Sequence, residues 1–180
     1  MNQIKKYVNS LRVFRVWHRY LGLILLVFVL ISSVTGVLLA WKKNVEVLQP
    51  PTQKGVSKAL STWKSVDEIA QIAQHELLKQ YPEEADNSIS RIDVRPSKGI
   101  AKVLFENNSW EVQVDGTDGS IKSVAKRHAD WIERLHDGSI ISDLFKLISM
   151  NVLGFGLIMM LFTGYWLWYA PGKIRKMKKG

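Results

Sequence analysis

The sequence predicts a membrane α-helical hairpin, made of two transmembrane helices, with a small α+β domain inserted between them. Two uncharged apolar stretches, residues 20–41 and 147–172, are each bounded on both sides by a basic residue and predict the hairpin. Between them, a capped amphipathic segment is followed by short segments that alternate apolar and polar residues, which predicts the inserted domain.

Both apolar stretches are long enough to cross a bilayer. The first has 22 residues, which at ~1.5 Å per residue gives ~33 Å of helix. The second has 26 residues and can span with some tilt or with an interfacial end. A cleaved signal peptide is the alternative for the first stretch. Its apolar run exceeds the about 7–15 residues of a signal core, and Ala40-Trp41-Lys42 is a poor cleavage site, so we expect an uncleaved anchor.

Basic residues predict the orientation. Residues 1–19 and residues 173–180 each contain five Lys or Arg and no acidic residue, so all 16 Asp and Glu lie between them. Short basic flanks stay in the cytoplasm, because moving cations across the bilayer is unfavourable and anionic lipids hold them. We therefore expect both termini in the cytoplasm and residues 42–146 outside it, including a membrane-proximal amphipathic segment. The net charge of +9 comes from the flanks and does not indicate nucleic-acid binding.

The inserted domain begins with a predicted helix. Ser65 and Glu68 have the spacing of a capping box, in which each residue bonds the backbone N–H of the other. Apolar residues follow at helical spacing, namely Ile69, Ile72, Ala73 and Leu77. The helix should stop by Tyr81-Pro82, since proline cannot continue it.

Strands are predicted after this helix, where apolar and polar residues alternate. The four candidate strands are Ile89–Arg95, Ile100–Glu106, Trp110–Asp115 and Ile121–Val124. Residues with turn chemistry separate them at 96–99 and 115–119. One helix against a small antiparallel sheet is the arrangement that a domain of this size can support.

No catalytic residue is predicted from the sequence. It contains no glycine-rich phosphate loop, no catalytic-triad spacing and no paired carboxylates at a pocket-like position. Cysteine is absent, which excludes disulfides, thiolate metal sites and cysteine nucleophiles. His75, beside Glu76 on the predicted helix, is interpreted as a surface histidine, because an isolated histidine has no ligand spacing.

Two histidines next to the apolar stretches are the candidate functional residues. His18 precedes the first stretch and His136 precedes the second, and each stretch carries a Thr-Gly pair near its far end, Thr35-Gly36 and Thr163-Gly164. The pattern runs in opposite directions across the membrane, with unequal His-to-Thr spacings of 17 and 27 residues. The alternatives to a binding role are an interfacial anchor for His18 and a turn or helix-terminus role for His136.

Three segments resemble the PepSY-associated transmembrane family. HRYLGLILLVFVLISSVTGVLLAWK resembles its first span, LHDGSIISDLFKLISMNVLGFGLIMMLFTGYWLW is similar to its later span, and WEVQVDGTDGSIKSV resembles the strand-turn-strand end of a PepSY domain. The resemblance covers residues 18–169 and implies a protein of the bacterial inner membrane with a periplasmic PepSY domain.

The resemblance also implies a cofactor. Some larger relatives have four spans, bind b-type haem and reduce ferric siderophores, which makes His18 and His136 candidate haem iron ligands in this two-span chain. The sequence has no nucleotide or flavin fingerprint, so electrons would come from another protein or from quinol.

The two histidines cannot share one iron, because the hydrocarbon core would separate them by ~25–30 Å. A second axial ligand would come from another chain or from a group other than histidine. A parallel homodimer with its two-fold axis along the membrane normal would pair His18 with His18 and His136 with His136. The leading interpretation is therefore a haem-linked electron-transfer component that supports periplasmic reduction of ferric or siderophore iron. The alternatives are a non-enzymatic PepSY module that binds a partner or restrains a peptidase, and an accessory subunit of a larger complex.

Overall fold

A computed structural model describes residues 2–83 and 87–179, which divide into two compact units. The first unit combines the two ends of the chain, up to Val37 and from Arg134 onward, and the second is Leu38–Glu133. The helices are α1 (Asn2–Ala40), α2 (Val66–Gln80), α3 (His128–Asp137) and α4 (Asp143–Lys179). The strands are β1 (Ile89–Arg95), β2 (Ile100–Phe105), β3 (Trp110–Asp115) and β4 (Ile121–Lys126).

The helices α1 and α4 are the two predicted spans, and both are long and apolar enough to cross a membrane. They contain 39 and 37 residues, so each extends beyond its apolar stretch into basic sequence, where Lys and Arg favour helix. Pro171 lies inside α4, where it removes one backbone hydrogen bond without ending the helix.

Close packing joins α1 and α4 in antiparallel orientation. Leu25 is buried against Gly156, where a Cβ atom would lie 2.7 Å from Leu25 Cδ2. One turn further along α4, Met160 faces Gly22, where a Cβ atom would lie 3.4 Å from Met160 Cε. Most other apolar side chains on both helices are exposed in the chain by itself, which is the expected condition of helices that face lipid.

The second unit contains an antiparallel meander with strand order β1-β2-β3-β4. The helix α2 begins at the predicted capping box, in which Ser65 N donates to Glu68 Oε2 (2.9 Å) and Glu68 N donates to Ser65 Oγ (3.2 Å). It ends before Tyr81, as predicted. The predicted strands are confirmed, except that β2 ends one residue earlier and β4 two residues later.

One face of the sheet packs against α2. Side chains from both elements form the apolar core of this unit, chiefly Ile69, Ala73, Leu77, Ala101, Val103, Phe105, Trp110, Val112 and Val114. Alternate residues of β3 therefore face the helix, in agreement with the alternation in the sequence.

The opposite face of the sheet is also covered, although its side chains are polar. Gln53 N donates to Gln113 Oε1 (2.9 Å), Val56 N donates to Asp115 Oδ2 (2.8 Å), and Gly55 N bonds a backbone carbonyl (2.8 Å). The chain at residues 51–56 thereby lies across this face of the sheet. The arrangement removes polar side chains of β3 from solvent.

Buried charges on this face are paired. Lys102 is 2% exposed and Glu111 is fully buried, with 2.9 Å between Lys102 Nζ and Glu111 Oε1. Arg127 lies 3.4 Å from the other oxygen of Glu111 and 3.0 Å from Asp130. Removing one partner would leave a buried charge without compensation, so this cluster stabilises the unit only as a set.

Candidate functional site

The two candidate histidines lie far apart in the first unit. His18 is on α1, seventeen residues before Thr35 on the same helix, and His136 is the penultimate residue of α3. At ~1.5 Å per residue, His18 and Thr35 are ~25 Å apart along α1. Because His136 contacts Thr35, the structure does not bring the two imidazoles together.

His18 contacts the second apolar helix. Its Nδ1 atom lies 2.8 Å from the hydroxyl oxygen of Thr163 on α4. That hydroxyl is also 2.9 Å from the carbonyl oxygen of Met159, one turn earlier. The Cε1 edge of the ring lies over Gly164, where a Cβ atom would be 3.4 Å away.

His136 makes the equivalent contacts with the first apolar helix. Its Nδ1 atom lies 2.8 Å from the hydroxyl oxygen of Thr35 on α1, and this hydroxyl lies 2.6 Å from the carbonyl oxygen of Ile31. The Cε1 atom faces Gly36, where a Cβ atom would be 3.6 Å away. Thr35-Gly36 in the first half of the chain therefore contacts His136 from the second half, and Thr163-Gly164 in the second half contacts His18 from the first.

This crosswise pairing explains the repeated pattern in the sequence. The helices α1 and α4 are antiparallel, so the Thr-Gly pair at the far end of one stretch lies level with the histidine that precedes the other. The spacings of 17 and 27 residues need not match, because the longer one includes the turn at residues 138–142 between α3 and α4. The opposite direction of the two repeats was the signal that could have predicted the pairing.

A turn and an ion pair hold the chain next to His136. Gly138 follows α3 with a φ of +80°, a left-handed conformation that costs a glycine little. Asp137 Oδ2 lies 2.6 Å from Lys146 Nζ, and Asp137 Oδ1 accepts from Ser139 N (2.9 Å). Burial raises the pKa of Asp137, but the hydrogen bonds from Lys146 and Ser139 outweigh it and lower the pKa to about 2.

An apolar cavity of ≈ 150 Å³ lies beside His136. Its wall consists mainly of aliphatic and aromatic side chains, including Phe28, Ile31, Leu135, Phe145, Met150 and Leu153. The polar residue Ser149 also lines it, with its hydroxyl bonded to the carbonyl of Lys146 (3.2 Å).

Aromatic rings surround the other end of the helix pair. Trp166 on α4 stacks on Tyr7 of α1 with ring centroids 5.8 Å apart, and its Nε1 donates to Ser10 Oγ (3.1 Å). Next to His18, the guanidinium of Arg19 lies 5.2 Å from the centroid of the Tyr20 ring. His18 therefore lies at the boundary between the apolar part of the α1–α4 pair and its polar, aromatic end.

The other histidines and Asn151 are not placed between the helices as His18 and His136 are. His75 is exposed, as predicted, and His128 is exposed at the first position of α3. Asn151 bonds the carbonyl of Leu147 in its own helix (2.7 Å) and does not join the two helices through this bond. Among residues 2–83 and 87–179, no group of three or more His, Asp or Glu could hold a metal ion.

Comparison with known families agrees with this architecture. The profile of the PepSY-associated TM region matches residues 15–179, which include α1 from Arg15 onward, the whole of α4 and the domain between them. No curated protein matches the chain. Because the match extends over most of the sequence, the protein belongs to the PepSY-associated transmembrane family.

Proposed function

We propose that this membrane protein is a b-type haem electron-transfer component of the bacterial inner membrane, with His18 and His136 as iron ligands. The observation that carries the proposal is that each imidazole bonds a threonine through Nδ1 and leaves Nε2 without a partner among the described residues. Nε2 is a nitrogen through which neutral imidazole commonly binds metals. Haem iron in electron-transfer proteins takes such axial ligands, and their surroundings set its potential.

The separation of the histidines supports two haem sites. With ~25 Å between their levels on α1, each ring serves a different iron. The haem supplies one-electron oxidation and reduction when bound. The chain holds each imidazole at a fixed depth in the membrane. The helix α1 positions His18, and α3 with its following turn positions His136. The positions of the two imidazoles would set the positions of the two redox sites.

The apolar lining of the cavity beside His136 supports the proposal, because the edge of a macrocycle is apolar. At ≈ 150 Å³ the cavity is smaller than the ~300–1,000 Å³ of pockets that enclose a drug-sized ligand. One chain therefore cannot enclose a haem there. A parallel homodimer would supply the second wall and the second imidazole at each level, because its two-fold axis pairs His136 with His136 and His18 with His18. It would also form a four-helix bundle, in which cofactors sit between facing helices.

The orientation and the substrate belong to the same proposal. The acid-free basic ends of the chain support cytoplasmic termini and an extracytoplasmic, periplasmic sheet domain. Electrons would then pass outward from the His18 level to the His136 level. Reduction of ferric iron or ferric siderophores, as part of iron uptake, rests on the family resemblance.

A reduced-minus-oxidised visible spectrum tests the haem function. The protein is expressed with added haem precursor and purified in detergent as wild type and as His18→Ala, His136→Ala, His75→Ala and His128→Ala variants. We expect a sharp α-band in the wild type, loss of about half of it in each of the first two variants, and no loss in the last two, whose histidines are exposed. A colourless wild type would instead favour a PepSY module that binds a protein partner.

A further inference from the structure

The threonine hydroxyls at the two histidines each face a ring nitrogen and two backbone carbonyl oxygens of their own helix, one nearer than the other. Thr35 Oγ1 lies 2.6 Å from the Ile31 carbonyl oxygen and 2.8 Å from His136 Nδ1. Thr163 Oγ1 lies 2.9 Å from the Met159 carbonyl oxygen and 2.8 Å from His18 Nδ1. Both threonines are 4% exposed, so water does not compete for these bonds.

The number of protons decides the direction of each bond. A hydroxyl has one proton to donate, and a carbonyl oxygen can only accept. Both bonds can form at once only if the threonine donates to the carbonyl and the imidazole donates Nδ1–H to the threonine. The neutral ring is then protonated at Nδ1, and Nε2 keeps its lone pair.

We propose that Thr35 and Thr163 are positioning residues that hold His136 and His18 in the Nδ1-protonated tautomer, so that Nε2 is the only ring nitrogen able to bind a metal. The assignment of the tautomer follows from the hydrogen bonds alone, while the metal rests on the haem function proposed above. In water neutral histidine samples both tautomers, and a fixed Nδ1–H donor also orients the ring and raises the basicity of Nε2.

The crosswise pairing makes the two effects separable. Of the two candidate histidines, Thr35 bonds His136 and Thr163 bonds His18, and the two rings are ~25 Å apart along α1. A change at either threonine should therefore alter one imidazole and leave the other as an internal reference. Replacement by valine keeps the branched shape and removes the hydroxyl, whereas replacement by serine keeps the hydroxyl.

The first test uses the haem-free protein with ¹⁵N-labelled histidine. The chain has only four histidines, and the exposed His75 and His128 report the tautomer mixture in solvent. We expect the neutral rings of His18 and His136 to show Nδ1–H, with Thr35→Val shifting only His136 and Thr163→Val only His18. The Thr35→Ser and Thr163→Ser variants should resemble the wild type. Protonation at Nε2 in the wild type, or valine variants with unchanged ring signals, would overturn the proposal.

The second test measures haem affinity and midpoint potential. Outer partners of metal-bound histidines contribute about 10–100-fold to affinity, so Thr35→Val in a His18→Ala background should weaken haem binding by that factor and raise the potential. Thr35→Ser should restore both. Ser33→Ala, which removes an exposed hydroxyl from the same helix, is the matched control.

The two proposals fail in different ways. Equal haem affinity and potential in Thr35→Val and Thr35→Ser would overturn the positioning role and leave the haem function intact. A wild type that binds no haem would overturn the haem function and the role toward a metal, even if the ¹⁵N spectra show both fixed tautomers.

Discussion

His136 and His18 make equivalent hydrogen bonds at opposite ends of the paired helices, but the chain supports the two rings differently. His18 is part of α1, a continuous helix of 39 residues, and aromatic packing between Trp166 and Tyr7 holds the helix pair nearby. His136 lies on the 10-residue α3, where a left-handed glycine and the ion pair of Asp137 with Lys146 fix the chain after it.

This difference separates changes that act on both rings from changes that act on one. A helix transmits displacement along its whole length, so only loss of the α1–α4 contact should release His18. A short helix followed by a turn depends on local bonds, so changes at residues 137–146 should reach His136 alone.

The largest effect should come from Gly156→Val. A Cβ atom there would lie 2.7 Å from Leu25 Cδ2, and the branched valine adds further bulk, so the buried Leu25 side chain must shift and push the helices apart, at a cost of about 1–3 kcal/mol. Both His18 and His136 should then lose their fixed tautomer, as followed by ¹⁵N signals and thermal unfolding in micelles. Gly154→Val is the control, because a Cβ at Gly154 would meet no atom within 4 Å. Similar behaviour of the two variants would mean that this contact does not hold the pair together.

Gly138→Ala should affect one ring only. Its φ of +80° disfavours any residue with a Cβ by about 1–2 kcal/mol, and that Cβ would also lie 3.0 Å from Ser149 Oγ. We expect the His136 signals to shift and the His18 signals to stay. Gly119→Ala, a glycine with φ +77° in the turn before β4, should destabilise the sheet domain without shifting either ring. A shift of His18 in Gly138→Ala would contradict independent support of the two ends.

Acid should weaken the His136 end through Asp137. Its pKa in the folded protein is about 2, against an ordinary value of 3.8, so the carboxylate stabilises the fold fully above about pH 4. The stabilisation is lost as the pH falls from about 4 to about 2. Because Asp137 and Lys146 are partly exposed, we expect the ionised carboxylate of Asp137 to contribute only about 1 kcal/mol to the free energy of unfolding.

The pH dependence is measured by comparing the wild type with Asp137→Asn. The variant should be less stable at pH 6, and the difference in the free energy of unfolding should shrink as the pH falls through 4 and vanish below about pH 2. Lys146→Met should have no further effect in the Asp137→Asn background. A stability difference that is independent of pH would assign the effect to packing and not to the charge.

The smallest effects should come from Gly164→Ala and Gly36→Ala. The added methyl would lie 3.4 Å from His18 Cε1 and 3.6 Å from His136 Cε1, which are ordinary contact distances. Alanine also favours helix by about 0.5–1 kcal/mol relative to glycine. Both variants should therefore keep or slightly gain thermal stability, with the larger ring shift at His18. Unfolding of either variant would show that the ring packs more tightly against the helix than these distances indicate.

The fold was largely predictable because its signals are local. The capping box at Ser65, the alternation in β3 and the length of the apolar stretches each depend on a few neighbouring residues. Burial of Lys102 and Glu111 could not be predicted in this way. It depends on residues 51–56, some fifty residues earlier in the sequence, which cross the polar face of the sheet.

The site was predicted in part. The sequence selected His18, His136 and both Thr-Gly pairs, but the unequal spacing hid their relation, because each pair forms between residues more than a hundred positions apart. The antiparallel packing of α1 and α4 brings each histidine within 2.8 Å of a threonine that is distant in the sequence. The ligand role of the histidines stays a prediction.

The crosswise pairing has a consequence for biosynthesis. Neither apolar helix holds a histidine together with the threonine that fixes it, so an inserted α1 by itself has no ordered imidazole. The ring of His18 becomes ordered only after α4, which carries Thr163, has entered the membrane beside α1. The His18–Thr163 bond therefore marks the completed insertion of the hairpin.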